Sequence, residues 1–555
     1  LMKPVPMKSI DKINDLTTVE GSENVLHSPQ NINRTEIDGA YAKYVLCVLV
    51  IVSILNFMDR SIIGVLVEDI KRDLNLSDTD IGFLGGTAFT VFYATFGIAL
   101  GRMADVWNRK KLITLGLGVW SAMTALSGLA RSFFPLAACR FGVGVGEASA
   151  SPAIYSMLYD YFSPRYRTSV MAIYLCGASI GGGLGIFLGG QILESWNVAW
   201  PNANAAPFGL KGWQAVFMIV GLPGIIVAFW VSTLREPVRG QGDGILSEPH
   251  PHPFQEAATI LLSMLPIANL WLFSKSKTGR KIVFINLGSA IVIALTSYAL
   301  ADVTGDTLQW FALSIGIYAA FSWTQALAIR DPVVFAMLFK CKALRYIIIG
   351  DALISFNLGI SFWIIPFFQR YYQISVADIS AVLGIGNMLV GIAGVIVGGI
   401  LADYLRFRTG RGKLYVYFLG VIFATFSLFV LITASKLFIA YAAALFAAFT
   451  ISMSFAPIMS TVNDLVLPRA RATTMGFFLM VTLLSGTALG PYFVGYISDS
   501  LTITGIDAGE SLRQGMLCAL LMPAAGGIFI IQAIRHIESD EKNLISRAQG
   551  FGENI

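Results

Sequence analysis

From Tyr44 to Ile534 the chain is a succession of apolar runs, each long enough to cross a bilayer and each followed by a short polar stretch. A hydrocarbon core of ~30 Å needs about 20 apolar residues in helical form. Backbone groups in lipid must also find their hydrogen bonds within a helix or a closed barrel, and the short alternating segments of a barrel are absent. The expected fold class is therefore an all-α polytopic membrane protein. Composition agrees, because 55% of the 555 residues are hydrophobic and only 13% are charged.

The runs predict helices near 43–66, 81–101, 112–131, 133–160, 169–194 and 213–234, and a second set near 344–368, 379–401, 414–434, 437–462, 473–497 and 514–535. Two more, near 282–301 and 308–329, form an inserted hairpin, so fourteen spans are expected. Lysine and arginine sort the loops onto two sides, and the basic side is read as cytoplasmic. That side holds Arg109 to Lys111, Arg165, Arg167, Arg235, Arg239, Lys275 to Lys281, Lys340 to Arg345, Arg406 to Lys413, Arg469, Arg471 and Arg535. An even span count places both termini there, in a cell membrane of bacterial inner-membrane type. The domains expected are a flexible cytoplasmic tail over 1–40, a six-helix bundle over 41–240, a cytoplasmic linker with the inserted hairpin over 241–340, a second bundle over 341–536 and a cytoplasmic tail over 537–555. The Pro266-interrupted stretch at 258–273 reads as an interfacial helix or a re-entrant segment.

Charges inside such spans are expensive, at least ~2.5–3.5 kcal/mol each near the bilayer centre, so the few present are the candidate site. Asp59 and Arg60 lie about two-thirds along the first span. Arg140 and Glu147, seven residues apart in the fourth, share one helix face, since seven residues leave only ~20° of drift. One reading makes Asp59 and Glu147 proton carriers poised by Arg60 and Arg140, where burial and a neighbouring guanidinium act on a carboxylate in opposite senses. The other makes them a satisfied ion pair, for example Asp59 with Arg140, holding two helices together. Asn56, Asn387, Asn463 and Asp464 are further polar groups in or near spans, able to line a cavity or to bond helix to helix. Asp351 is expected to pair with Arg345.

Several classes of function are set aside. Gly142 to Gly146 imitates a nucleotide loop but lacks the preceding strand and turn, and small residues in a span instead let helices approach. No GxxxxGK[ST] motif or His-Asp-Ser grouping appears, which argues against a pump driven by ATP and against a membrane-embedded enzyme. Net charge is +5 with no basic stripe, so no nucleic-acid partner is expected. The five cysteines lack ligand spacing, His250 and His252 lie in a Pro-rich linker, and neither a metal nor a cofactor is expected.

The chain repeats itself. Pro164 to Ala172 aligns with Pro468 to Gly476 at an offset of 304, Gly101 to Asp105 with Gly399 to Asp403 at 298, and Gly185 to Glu194 with Gly490 to Asp499, matching Gly190 to Gly495. Two parallel six-helix halves around a midplane site describe a rocking transporter.

GRMADVWNRKK, residues 101–111, resembles the signature loop of the major facilitator superfamily, which serves that family as a cytoplasmic latch. NFMDR at 56–60, RFGVGVGEASASP at 140–152 and LREPVRG at 234–240 together resemble its Spinster branch, which includes lipid transporters. The resemblance covers about residues 40–240 and 340–535. The inserted hairpin departs from the twelve-helix pattern, and the second latch at Asp403 to Arg406 is degraded. The resemblance implies two pseudo-symmetric bundles, coupling roles for Asp59 and Glu147, and a gating latch of Gly101, Arg102, Asp105, Arg109, Lys110 and Asp403, for which plain positive-inside topology is the simpler account. Phe356, Trp363 and Pro366 match the family's seventh helix, and Phe356 and Trp363 are cavity candidates.

The expectation is a proton-coupled secondary transporter moving an amphipathic lipid-like or organic anionic substrate, with Arg60 or Arg140 meeting the anion. The alternative is a symporter of small carboxylates or sugar acids; a uniporter, a channel or a membrane-embedded enzyme stands further off. Partners would be substrate, protons and membrane lipid.

Overall fold

The computed structural model describes residues 37–241, 252–266, 268–274 and 279–550. Most of the tail expected over 1–40, together with His250 and Lys275 to Lys277, lies outside the described residues. Those residues form helices joined by short turns, with no strand among them.

The first half comprises α1 (Ala40–Val65), the short α2 (Val67–Leu74), α3 (Asp78–Val106), α4 (Arg109–Ser127), α5 (Phe133–Glu147), α6 (Ala150–Tyr161), α7 (Arg167–Ala199) and α8 (Gly212–Ser232). Side chains set the starts: Ser77 and Asp80 form a capping box at α3, and Asn108 accepts from the Lys111 amide at α4. The single helix expected over 133–160 is in fact two. Pro152 cannot donate to the Ala148 carbonyl four residues back, and the glycines and serines before it hold a helix weakly.

The linker carries α9 (Pro253–Met264) and α10 (Ala268–Ser274). One helix was expected over 258–273; Pro266 forces Leu265 into extended backbone and ends the first piece there. The insertion follows as α11 (Gly279–Thr304), α12 (Thr307–Arg330) and α13 (Pro332–Lys340). The second half is α14 (Lys342–Phe362), α15 (Ile364–Tyr371), α16 (Val376–Arg408), α17 (Gly412–Thr433), α18 (Leu437–Asp464), α19 (Pro468–Ile503), α20 (Ala508–Lys542) and α21 (Leu544–Gln549). Twelve helices among the described residues are long and apolar enough to cross a membrane, and both insertion helices are among them. Neither α4 nor the α5 and α6 pair is, so a count of fourteen does not follow from length and apolarity alone.

The repeat is visible in the contacts. Arg167 donates to the Tyr159 carbonyl at 2.9 Å and Arg471 to the Asn463 carbonyl at 3.3 Å, each closing the helix eight residues back and each offset from the other by 304. Gly190 and Gly495 both sit where a helix of one half crosses the start of a helix of the other. A Cβ on Gly190 would lie 3.0 Å from the Val376 carbonyl, and one on Gly495 would lie 2.3 Å from that of Asp78, 298 residues earlier. Only glycine allows crossings this close.

Where α3 crosses α19, each helix carries one π turn, Phe83–Thr87 and Leu483–Thr487. The Thr87 hydroxyl donates to the Ala488 carbonyl at 3.0 Å across the crossing. Helix α12 covers this seam from outside, touching both halves: Gly316 lies against Leu484 and Val91, Trp310 meets Tyr492 edge-on, Trp323 stacks on Phe477 at 5.9 Å, and Tyr492 donates to Asp306 at 2.8 Å. Its partner α11 buries little of its surface and exposes Phe284, Val292, Leu295 and Tyr298.

Candidate functional site

Neighbours on a helix point ~100° apart, and α1 uses that angle to send Asp59 and Arg60 to different helices. Asp59 accepts from the Thr124 hydroxyl of α4 at 3.0 Å. Arg60 donates through Nε to Glu147 Oε2 of α5 at 2.6 Å. Asp59 is 3% exposed, Glu147 and Arg140 1% each, while the Arg60 side chain keeps 25% of its surface. The pairing of Asp59 with Arg140 considered above is not formed. Arg140 Nε and Nη1, and Glu147 Oε1, have no hydrogen-bond partner among the described residues.

Aromatic rings take up part of the cationic charge. Arg60 lies 4.6 Å from the Tyr93 ring centre, 5.0 Å from Phe89 and 5.2 Å from Phe57, and Arg140 lies 5.4 Å from Phe89. Phe89 thus serves both guanidinium groups, with an attraction of ~0.5–2 kcal/mol per contact. Gly144 makes this possible, since a Cβ there would lie 2.5 Å from the Phe89 carbonyl. Thr124, Phe89 and Tyr93 escaped the sequence reading because threonine and aromatics are ordinary in spans; only their approach to the charges singles them out.

Ser61, next to Arg60, opens onto a cavity of about 340 Å³ shared between the halves. Its polar lining is Ser61, Ser179, Ser361, Asn387 and Ser452, and aliphatic side chains of α14, α15, α16 and α18 supply most of the rest. Of the other cavity candidates, Asn56 is buried on α1 with its amide nitrogen unpartnered. Three lie elsewhere. Trp363 is fully buried and donates to the Pro491 carbonyl at 2.9 Å, Phe356 packs edge-on against Phe493, and Asn463 ends α18. Asp464 pairs with Lys413 at 2.6 Å. Asp351 does not pair with Arg345, which is exposed; it accepts from Tyr417 and Thr482.

The halves are tied at the end where α1 stops. Arg370 forks onto Asp78 with two bonds of 2.7 Å and also reaches Glu68 at 2.8 Å, while Ser498 donates to Asp78 and Asp499 accepts from the Asp78 and Thr79 amides. Bidentate contacts of this kind are the strong ones. At the opposite end Arg102 and Asp105 are exposed and 4.0 Å apart on the same helix, Asp403 is exposed, and a Cβ added to Gly97 or Gly399 would touch nothing. Gly101 sits there too, with room around it. Arg109, expected in the gating latch, is buried within the first half, bonded to Asp160, to Glu236 at 2.8 Å and to the Pro237 carbonyl. The Lys110 amide donates to the same Glu236. Arg239 caps the end of α3 through the Ala104 and Trp107 carbonyls, so the LREPVRG stretch clasps the signature loop.

Two six-helix halves, closed at one end and enclosing buried charge beside a shared cavity, define a membrane transporter fold. A profile of the Major Facilitator Superfamily matches residues 49–338, and the chain belongs to that family, whose members are transporters and not enzymes. It is 26% identical over 484 residues to an MFS-type efflux pump of Mycolicibacterium smegmatis, covering 87% of this chain and 90% of that one. It is 24% identical to a sphingosine-1-phosphate transporter of Danio rerio, covering 88% and 84%. Among solved structures, a bacterial homolog of the human lysosomal transporter Spinster, inward-facing and unoccupied, superposes with a TM-score of 0.66 at 24% identity, over 90% of this chain and 98% of that one.

Proposed function

We propose that this protein is a proton-coupled secondary transporter that moves an amphipathic lipid-like or organic anionic substrate by rocking its two halves about a central site. The observation that carries the reading is Arg140, a buried cation with two donors unpartnered among the described residues, which shares the Phe89 ring with Arg60; Arg60 in turn pairs with Glu147 and adjoins Ser61 of the shared cavity. Unsatisfied buried donors are rare, and an anionic group entering here would meet two guanidiniums while releasing Glu147 to take a proton. Asp59 and Glu147 are the carriers, and Arg60 and Arg140 the charge partners. Asp105 with Arg102, and Asp403, form the latch that meets when the open end closes.

The basic end is cytoplasmic, so the conformation faces inward, both termini lie in the cytoplasm and fourteen helices cross the membrane. Similarity to a sphingosine-1-phosphate transporter favours a lipid with an anionic head. A cavity of about 340 Å³ lined by four serines and an asparagine favours the second reading, a small carboxylate or sugar acid, since pockets of this size hold small ligands.

The test uses purified protein in liposomes with an internal pH dye, and compares wild type with Asp59→Asn and Glu147→Gln. A lysolipid or organic acid that moves protons only in the wild type supports coupling. Substrate crossing at one rate in all three, with no proton movement, overturns it.

A further inference from the structure

The second half holds a buried acid that the proposed coupling leaves unused. Asp351 on α14 accepts from Tyr417 of α17 at 2.5 Å and from Thr482 of α19 at 2.8 Å, so one carboxyl group joins three helices. The charged groups of the packed elements face elsewhere. On α14, Arg345 is six residues earlier, about 240° around the helix, and exposed. Lys413 of α17 is held by Asp464, and Arg469 and Arg471 of α19 by Asp331 and the Asn463 carbonyl. On α20, which packs against Gly350 through Gly526, His536 stacks on Tyr346, Glu538 pairs with Arg411, Glu541 with Arg406 and Asp540 with Arg547. Among the described residues, the groups bonded to the Asp351 carboxyl are the two hydroxyls.

We propose that Asp351 is a proton-binding site of the second half, distinct from the Asp59 and Glu147 pair, and that α19 reads its occupancy. An intramembrane acid with no counter-cation among the described residues is costly to keep charged and marks a functional position. The site satisfies both protonation states. The carboxylate takes two donors; after a proton from water adds to Oδ2, that O–H donates to the Thr482 hydroxyl oxygen, whose own hydrogen can turn to a carbonyl of the preceding turn of α19, while Tyr417 still donates to Oδ1. Asp351 and Thr482 each keep 9% of their surface exposed, enough for a proton carried by water.

What changes is bond strength, since charge-assisted hydrogen bonds are roughly twice as strong as neutral ones. Thr482 immediately precedes the π turn Leu483–Thr487, and around it Ser355 donates to the Thr482 carbonyl at 3.1 Å and Ser485 to the Ala352 carbonyl at 3.1 Å. That turn adjoins the stretch of α19, from Thr487 onward, that crosses α3 of the other half. Protonation therefore loosens α19 from α14 next to the crossing on which the halves rock.

The experiment is infrared difference spectroscopy of the full chain in lipid nanodiscs, titrated with acid and without substrate, so it does not depend on the transport reading. We expect a carboxyl C=O band that grows as pH falls, is lost in Asp351→Asn and survives in the double variant Asp59→Asn with Glu147→Gln. Tyr417→Phe, which leaves the acid in place, moves the midpoint of that band by about one pH unit. If no titrating band is lost in Asp351→Asn and none moves in Tyr417→Phe, Asp351 is a fixed structural ion and the proposal falls. Loss of the band in the double variant alone would overturn it as well, while leaving Asp59 and Glu147 as carriers.

Discussion

Arg60 and Glu147 meet at 2.6 Å between α1 and α5, while Asp59, one residue away, turns to Thr124 on α4. Adjacent charges on one helix are thus divided between two neighbours. One Glu147 oxygen holds Arg60, and the other has no partner among the described residues.

Glu147→Gln removes that charge. Breaking one side of a buried pair is destabilising by ~3–5 kcal/mol, so the thermal midpoint falls. Proton movement driven by substrate stops, whereas exchange of substrate for substrate continues. Paired assays in liposomes check both, and undiminished proton movement refutes the assignment.

Thr124→Val keeps the shape but removes the hydroxyl bonded to Asp59. A lost hydrogen bond to a charged group is worth ~1.5–3 kcal/mol. The expected result is a shift of about one pH unit or more in the pH at half-maximal transport. An unmoved profile would mean that Asp59 does not titrate in the cycle.

Arg370→Ala unties the closed end, leaving Asp78 with Lys71 and Ser498. The population moves toward a state open at that end. A cysteine placed at Ser361 in the cavity, labelled by an impermeant reagent from that side, should react faster in the variant. Equal labelling would show that the glycine crossings alone hold the closure.

Gly495→Ala tests those crossings. Its Cβ would press on the Asp78 carbonyl, and overpacking of this kind costs about 1–3 kcal/mol. The same labelling assay should report opening of the same end. Gly476→Ala, where nothing lies within reach, is the matched control and should leave labelling unchanged.

Asp331 ties the insertion to the second half through Arg469 at 2.5 Å. Partial burial opposes its charge, but the Arg469 hydrogen bonds and the Val334 N–H outweigh this and hold its carboxyl below the usual carboxylate range. A lowered value means the tie is complete above the unfolded-state value and is lost as pH falls through the folded one. Hydrogen exchange in α13 should rise on acidification in the wild type. In Asp331→Asn it should be raised already at neutral pH and respond little to acid.

Much of this was legible beforehand. Spans were readable because lipid allows few backbone solutions, and the halves because three local matches recur in order. Asp59, Arg60, Arg140 and Glu147 stood out because charge inside a span is costly. Their partners did not, because Thr124 and Phe89 acquire meaning only from helices brought together by tertiary packing. The partners of Arg109 were hidden for a related reason: its place in a signature loop said nothing of Asp160 and Glu236, which are distant in sequence and hold it within one half. Pro152 and Pro266 each broke a helix that hydrophobicity alone had joined.

Helix α12 leans on both halves over the seam of α3 and α19, and among the described residues the seam of α7 and α16 has no such cover. The molecule therefore has a back and a front. Rocking must slide at least one half beneath α12, as pages move under a spine, and anything travelling in the plane of the bilayer meets a wall on one flank and the bare seam on the other.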